Sequence, residues 1–190
     1  FSNSGRELKL SSLSPAISMH KENIVTDPEI TRKIEFDSGH RVLGHEGKCK
    51  HLHGHRYVAE ITVRAKQTLD DLGRVVDFSV MKNLIGKWVD DNWDHNIILH
   101  PDDPLAKLYS IGDVTDQVKL LTVHSRRDIF NEKAPYIMPK EKPNPTAENL
   151  VWALACVSNY LLEEAECGVY LTRIRLYETP NCWADYILKK

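Results

Sequence analysis

The sequence has no apolar run long enough to span a bilayer, no block of basic residues and no CxxC pair among its four cysteines. The first absence excludes a helical membrane span. The second, with a formal net charge of -2, removes any global field that would gather nucleic acid or an anionic membrane. The third argues against a small secreted disulfide scaffold or a paired-thiol redox site. Cys49, Cys156, Cys167 and Cys182 are therefore expected to be reduced thiols in a cytoplasmic protein. Residues 1–18 begin with Phe, are rich in serine and lack the apolar core of a secretory signal. They read as an upstream or vector-derived extension ahead of Met19; a genomic reading frame that encodes them would remove that reading. Hydrophobic residues make up 42% of the 190, enough for one buried core.

Periodicity organises the remainder. Residues 1–30 show none and are read as an N-terminal arm, leaving 31–190 as a single domain. Ile34, Phe36, Ser38 and His40 share one parity and predict a strand. Gly44, Glu46 and Gly47 mark a loop. A second strand runs from about His55 to Lys66, with Tyr57, Ala59, Ile61 and Val63 on one face. After a turn at Asp70–Gly73 the period changes: Met81, Leu84, Ile85, Trp88 and Val89 predict a helix, with Ser79 as its N-cap. Residues 101–143 are Pro-rich at both ends and read as an insertion carrying a short strand or helix near Val118–Val123. Thr146 opens a second helix, striped by Leu150, Val151, Leu154, Val157 and Leu161. Strands from about Val169 to Glu178 and Trp183 to Leu188 follow, joined by a turn at Thr179–Asn181. The expected fold is α+β, an antiparallel sheet with two helices packed on one face.

The chemistry gathers around residues 40–55. His53 and His55 stand two apart at a strand start, so both point to the face of Tyr57 and Ile61. His40 shares the inward parity of Ile34 and Phe36. A lone histidine is ordinarily a surface or satisfied core residue. Three inward ones on two strands can converge as a nitrogen ligand set with an open fourth position, which suits a catalytic zinc ion (Zn2+). Several other transition metals accept the same donors. His45 and His51 fall in the loop or on the other parity and stay outside this set. Cys49 lies four residues before His53, between Lys48 and Lys50. Positive surroundings favour a thiolate that acts as nucleophile or base; the plain alternative is a small buried apolar residue. Asp94 and His95 are a possible acid–base pair, although adjacent residues do not automatically touch. Glu178 shares the inward parity of Ile174 and Leu176, so its carboxylate needs a partner. A fork of two N–H donors such as the 2-amino-4-oxo edge of a pterin would serve, as would a salt bridge to Arg173 or Arg175. Thr146 offers a hydroxyl to a ligand or merely caps its helix.

In order along the chain, His40, Cys49-x-x-x-His53-Gly54-His55, Val76-Asp77-Phe78, Asp94-His95, Pro145-Thr146-x-Glu148-Asn149 and Glu178-Thr179 closely resemble the 6-pyruvoyl-tetrahydropterin synthase family. The Cys-x-x-x-His-Gly-His spacing looks more like its 6-carboxytetrahydropterin synthase branch, on the route to queuosine. The resemblance covers most of residues 31–188 apart from the insertion. It implies a tunnelling fold (T-fold) of four antiparallel strands and two helices. It implies trimers closed into a barrel and stacked as a homohexamer, with active sites between subunits. It assigns His40, His53 and His55 as zinc ligands, Cys49 as the catalytic thiol, Asp94 and His95 as its acid–base partners from a neighbouring subunit, and Glu178 as the pterin anchor. The implied reaction turns a pterin triphosphate, 7,8-dihydroneopterin triphosphate, into 6-carboxy-5,6,7,8-tetrahydropterin with loss of acetaldehyde and triphosphate. A pyruvoyl synthase or a side-chain aldolase would share this site, and a non-catalytic zinc or pterin-binding module would need only part of it. The insertion is longer than the family's usual connection. It begins near Asp94 and His95, where it could form a lid, alter substrate choice or extend the oligomer.

Overall fold

In a computed structural model of the chain, the described residues are 27–109, 118–120 and 142–188. The reading of residues 1–18 lies outside them, as does most of the insertion. The alternation predicted for the first two strands is realised in β1 (Glu29–His40) and β2 (His53–Ala65), which pair antiparallel from Glu29↔Arg64 to His40↔His53. β1 thus starts inside the stretch expected to be arm, and β2 begins two residues before the expected His55. β5 (Val169–Thr179) pairs with β2, and β6 (Cys182–Ile187) with β5, both antiparallel. The four expected antiparallel strands are all present.

The sheet has two more strands, β3 (Asn96–Leu99) and β4 (Val118–Leu120), and its order is β4-β3-β1-β2-β5-β6. β3 runs parallel to β1, and β4, from within the insertion, runs parallel to β3. The four-stranded expectation is corrected here to a six-stranded mixed sheet. Ile98 and Leu99 are consecutive and both buried, so β3 lacks the alternation by which the longer strands announce themselves. The insertion also contributes α3 (Pro104–Tyr109). Its two ends are stitched together, since Lys142 Nζ bonds Asp102 at 2.8 Å and the Lys142 carbonyl meets His100 Nε2 at 3.0 Å.

The first helical run is α1 (Phe78–Met81), a π-helical turn (Lys82–Gly86) and α2 (Lys87–Asn92). Its N-cap is Asp77, whose Oδ1 accepts from the Ser79 N–H at 2.8 Å, and not Ser79 itself. The second helix, α4 (Ala147–Glu164), is capped by Thr146 as expected. Both runs cover the sheet face that carries Phe36, Tyr57, Ile61, Val63, Leu171 and Ile174, packing Met81, Ile85, Val89, Leu150 and Leu154 against it. Each such side chain contributes about 1.5–3 kcal/mol on leaving water. The opposite face is charged and laced by cross-strand pairs such as Lys33–Glu60 and Arg175–Asp185. Exposed pairs of this kind contribute about 0–1 kcal/mol each, so the burial on the other face dominates.

Candidate metal centre and acid–base pair

The register of β1 on β2 builds the first cluster. Because Ser38 pairs with His55 and His40 with His53, the inward side chains of the two strands meet at one end of the sheet. The ring centroids of His40, His53 and His55 are 4.5, 5.1 and 4.9 Å apart, and one nitrogen from each lies within 4.8 Å of the others. Backbone carbonyls fix two of the tautomers. His40 Nδ1–H donates to the Pro145 carbonyl at 2.7 Å and His53 Nδ1–H to the His51 carbonyl at 2.7 Å, leaving each Nε2 with a free lone pair. Among the described residues, His40 Nε2 and His55 Nε2 are buried with no hydrogen-bond partner. A buried acceptor without a partner costs roughly 1–3 kcal/mol, and a cation shared by these nitrogens would recover it. The donor set therefore fits a metal ion, with the orienting carbonyls that metal-bound imidazoles usually have. Burial pushes the His40 and His55 imidazoles below their ordinary pKa, against the opposing pull of Glu178 on both and of the Pro145 carbonyl on His40. They are held neutral, the form that binds metal.

Glu178 is the carboxylate turned toward this group. Its Oε1 lies 3.3 Å from His40 Nε2 and 3.9 Å from His55 Nε2. The salt bridge to Arg173 or Arg175 does not form; both arginines bond Asp185 instead. Tyr57, which the sequence reading placed only in the core, floors the cluster. Its ring stands nearly perpendicular to those of His40 and His55, and its buried hydroxyl has no hydrogen-bond partner among the described residues.

Asp94 and His95 form a second cluster with Asp37, and the two adjacent side chains do touch. Asp94 Oδ2 meets His95 Nδ1 at 2.7 Å, while Oδ1 accepts the Asp37 N–H at 2.8 Å. The His95 N–H donates to the Asp37 carbonyl at 2.7 Å. His95 adopts the left-handed conformation, φ 56°, which is uncommon for residues other than glycine. That backbone turn lets neighbouring residues fold onto each other. Partial burial opposes ionisation of Asp94, but the Asp37 amide and the His95 imidazole outweigh it and hold the carboxyl below its usual range. The His95 side chain is 80% exposed and borders an open cleft of about 480 Å³ that Asp37, Gly39, Gly54 and Arg56 also line. These four have the parity opposite to His40, His53 and His55. Ser38 and His55 also border the cleft, but the Asp37 carboxylate that gathers with Asp94 and His95 belongs to the strand face opposite the histidine cluster, and the pair lies on that side. A side chain at Gly54 would bring its Cβ to 3.2 Å from the Ser38 carbonyl, so glycine there keeps β1 and β2 close beneath the cleft.

Cys49 sits half-buried on a single 3-10 turn (Lys48–Lys50) between β1 and β2, and belongs to neither cluster. The Thr146 hydroxyl accepts from the Asn149 N–H at 3.4 Å, the capping role. Sequence reasoning missed the carbonyls of His51 and Pro145 and the amide of Asp37, because backbone groups leave no residue-type signal. It also missed the buried pair of Asp103 with Arg41, which joins the insertion to the residue after His40. Among the described residues, no helix is long and apolar enough to cross a membrane.

Residues 29–188 match a family model described as 6-pyruvoyl tetrahydropterin synthase. A 6-carboxy-5,6,7,8-tetrahydropterin synthase of Rickettsia bellii is 43% identical over 155 residues, covering 82% of this chain and 96% of the relative. One from Haemophilus influenzae is 34% identical over 165 residues, covering 83% and 97%. Among solved structures, an uncharacterized protein from Wolinella succinogenes superposes with a TM-score of 0.61 at 23% identity, covering 85% of this chain and 98% of that one. The Caenorhabditis elegans 6-pyruvoyl tetrahydropterin synthase does so with a TM-score of 0.54 at 18% identity, covering 86% and 98%. At these identities the two structures establish the shared fold.

Proposed function

This chain belongs to the 6-pyruvoyl tetrahydropterin synthase family, and from that premise we propose that it is a zinc-dependent 6-carboxytetrahydropterin synthase. In this reading it converts 7,8-dihydroneopterin triphosphate and water to 6-carboxy-5,6,7,8-tetrahydropterin, acetaldehyde and triphosphate, the step that feeds queuosine synthesis in the cytoplasm. The observation that carries the reading is the convergence of three inward imidazoles, two of which, His40 and His55, keep a buried Nε2 without a hydrogen-bond partner among the described residues. The carboxy product is preferred over the pyruvoyl one because relatives at 34–43% identity carry the 6-carboxy name.

His40, His53 and His55 would hold the zinc, which when bound supplies Lewis acidity to the hydroxyls of the substrate side chain. The Cys49 thiolate takes a proton from that side chain. The Asp94–His95 pair returns protons as triphosphate departs, its imidazolium stabilised by the adjacent carboxylate. Glu178 accepts the paired N–H donors of the pterin ring, with the Thr146 hydroxyl as a further contact. Because the acid–base pair and the histidines face opposite sides of one chain's sheet, a complete site requires a neighbouring subunit. The homohexamer of two stacked trimers provides that arrangement.

The test is a product assay on purified protein with its metal content measured on the same sample. Acetaldehyde and 6-carboxytetrahydropterin are expected from the triphosphate, and Cys49→Ala abolishes both. A 6-pyruvoyl product without acetaldehyde would refute the carboxy reading. Tight pterin binding without turnover would refute the enzymatic one.

A further inference from the structure

We propose that Asn144 is a positioning residue that fixes the Cys49 loop relative to the histidine cluster. The proposal rests on the assignment of Cys49 as the reacting thiol. The loop between β1 and β2, residues 41–52, lies outside the strand ladder and must satisfy its backbone groups by other means. Inside the loop, the Val42 N–H donates to the Cys49 carbonyl at 2.8 Å, closing its base, and the Lys50 and His51 amides bond back to Gly47 and Lys48. The position of Cys49 therefore follows that of Val42 and its neighbour Leu43.

Both backbone groups of Leu43 are taken by one side chain. The Leu43 N–H donates to Asn144 Oδ1 at 2.8 Å, and Asn144 Nδ2 donates to the Leu43 carbonyl at 3.0 Å. A carboxamide presents an acceptor and a donor side by side, as a peptide group does, so Asn144 stands in for a missing strand neighbour. Asn144 is itself held. Its carbonyl accepts from the Thr146 N–H at 2.8 Å and from Asn149 Nδ2 at 2.9 Å, and the proline that follows biases it toward extended backbone. The next carbonyl, that of Pro145, holds His40. Two consecutive residues at the entrance to α4 thus hold the reactive loop, through Leu43, and one histidine, His40, together. Aspartate at 144 would lose the donor and set a charge against the Leu43 carbonyl, and alanine would lose both bonds.

The test is Asn144→Ala and Asn144→Asp in the full chain, read by iodoacetamide alkylation with peptide mass mapping. Exposed Cys182 serves as the internal reference. The Cys49-to-Cys182 rate ratio is expected to rise by about tenfold, the population change set by losing hydrogen bonds of this kind. Zinc content should stay constant while kcat falls with KM little changed. An unaltered alkylation ratio together with an unaltered kcat overturns the proposal. A raised ratio in the variants, when the parent protein itself turns over no pterin triphosphate, upholds the positioning role and sinks the enzymatic reading instead. The parent protein gives a check without any variant: the Leu43 amide must exchange slowly with deuterium, and fast exchange overturns the proposal.

Discussion

Asp94→Asn separates the charge of the acid–base pair from its shape. In the parent, Oδ1 accepts the Asp37 N–H at 2.8 Å and Oδ2 meets His95 Nδ1 at 2.7 Å. An asparagine must keep its oxygen toward the Asp37 amide, because the flipped amide would set donor against donor. Its NH2 then faces His95 Nδ1 and forces that nitrogen to accept, so the imidazole proton moves to Nε2. The ring can no longer accept a proton at Nε2, and no carboxylate stabilises its protonated form. A positioned acid–base group contributes about 10²–10⁴ in rate, or about 3–5 kcal/mol at 1.36 kcal/mol per decade. The structural cost is much smaller, because one partly exposed hydrogen bond contributes about 1 kcal/mol. That shifts the melting temperature of a chain this long by about 2–4 °C. We therefore expect kcat for acetaldehyde release, followed by a coupled alcohol dehydrogenase on zinc-matched samples, to fall by at least about 100-fold with the fold intact. A kcat within about threefold of the parent would refute the reasoning, because a barrier change that small leaves the carboxylate no part in proton transfer.

Two further outcomes follow from the same geometry. Asp103 is wholly buried, forked by Arg41 and bonded by the Leu105 N–H at 2.8 Å. Asp103→Ala removes the fork but leaves the Arg41 guanidinium within reach of water, and should cost about 1–3 kcal/mol, read from a denaturant midpoint. Burial opposes ionisation of Asp103, but Arg41 and the Leu105 amide outweigh it and hold its pKa below the ordinary value. Its contribution is therefore present above the unfolded carboxyl value of about 3.9 and lost as pH falls through the lower folded value. Acid titration of the variant should show a shallower loss there, and an identical acid limb would contradict the assignment. Glu178→Gln should raise the KM for the pterin substrate with zinc content unchanged. Loss of zinc would identify Glu178 as a metal ligand instead.

The histidine cluster was legible because strand parity is a strict two-residue rule. His40, His53 and His55 follow Phe36 and Tyr57 inward, and antiparallel pairing does the rest. The Asp94–His95 contact was only half legible: the residues were visible, but their meeting depends on the left-handed backbone at His95, which no pattern announces. The π-helical turn left a faint trace. Met81, Ile85, Val89 and Trp93 are all buried and recur every four residues, a spacing that drifts around an ordinary 3.6-residue helix and that a widened turn partly absorbs. The cap is Asp77 and not Ser79 because the Asp77 carboxylate accepts the Ser79 N–H, so Ser79 already lies inside the first turn. β4 was anticipated as a short strand or helix near Val118–Val123, with no partner named. Its pairing is with β3, which the sequence never signalled, so nothing nearby could specify it.

The added parallel strands change the mechanical setting of His40. In a four-stranded meander β1 would be a border strand, free to fray. Here its last three residues are zipped on both sides, His40 to His53 on one and to Ile98 on the other. Local opening that begins at the sheet's margin must peel away β4 and then β3 before it loosens that imidazole, so the histidine cluster belongs to one of the more durable parts of the molecule.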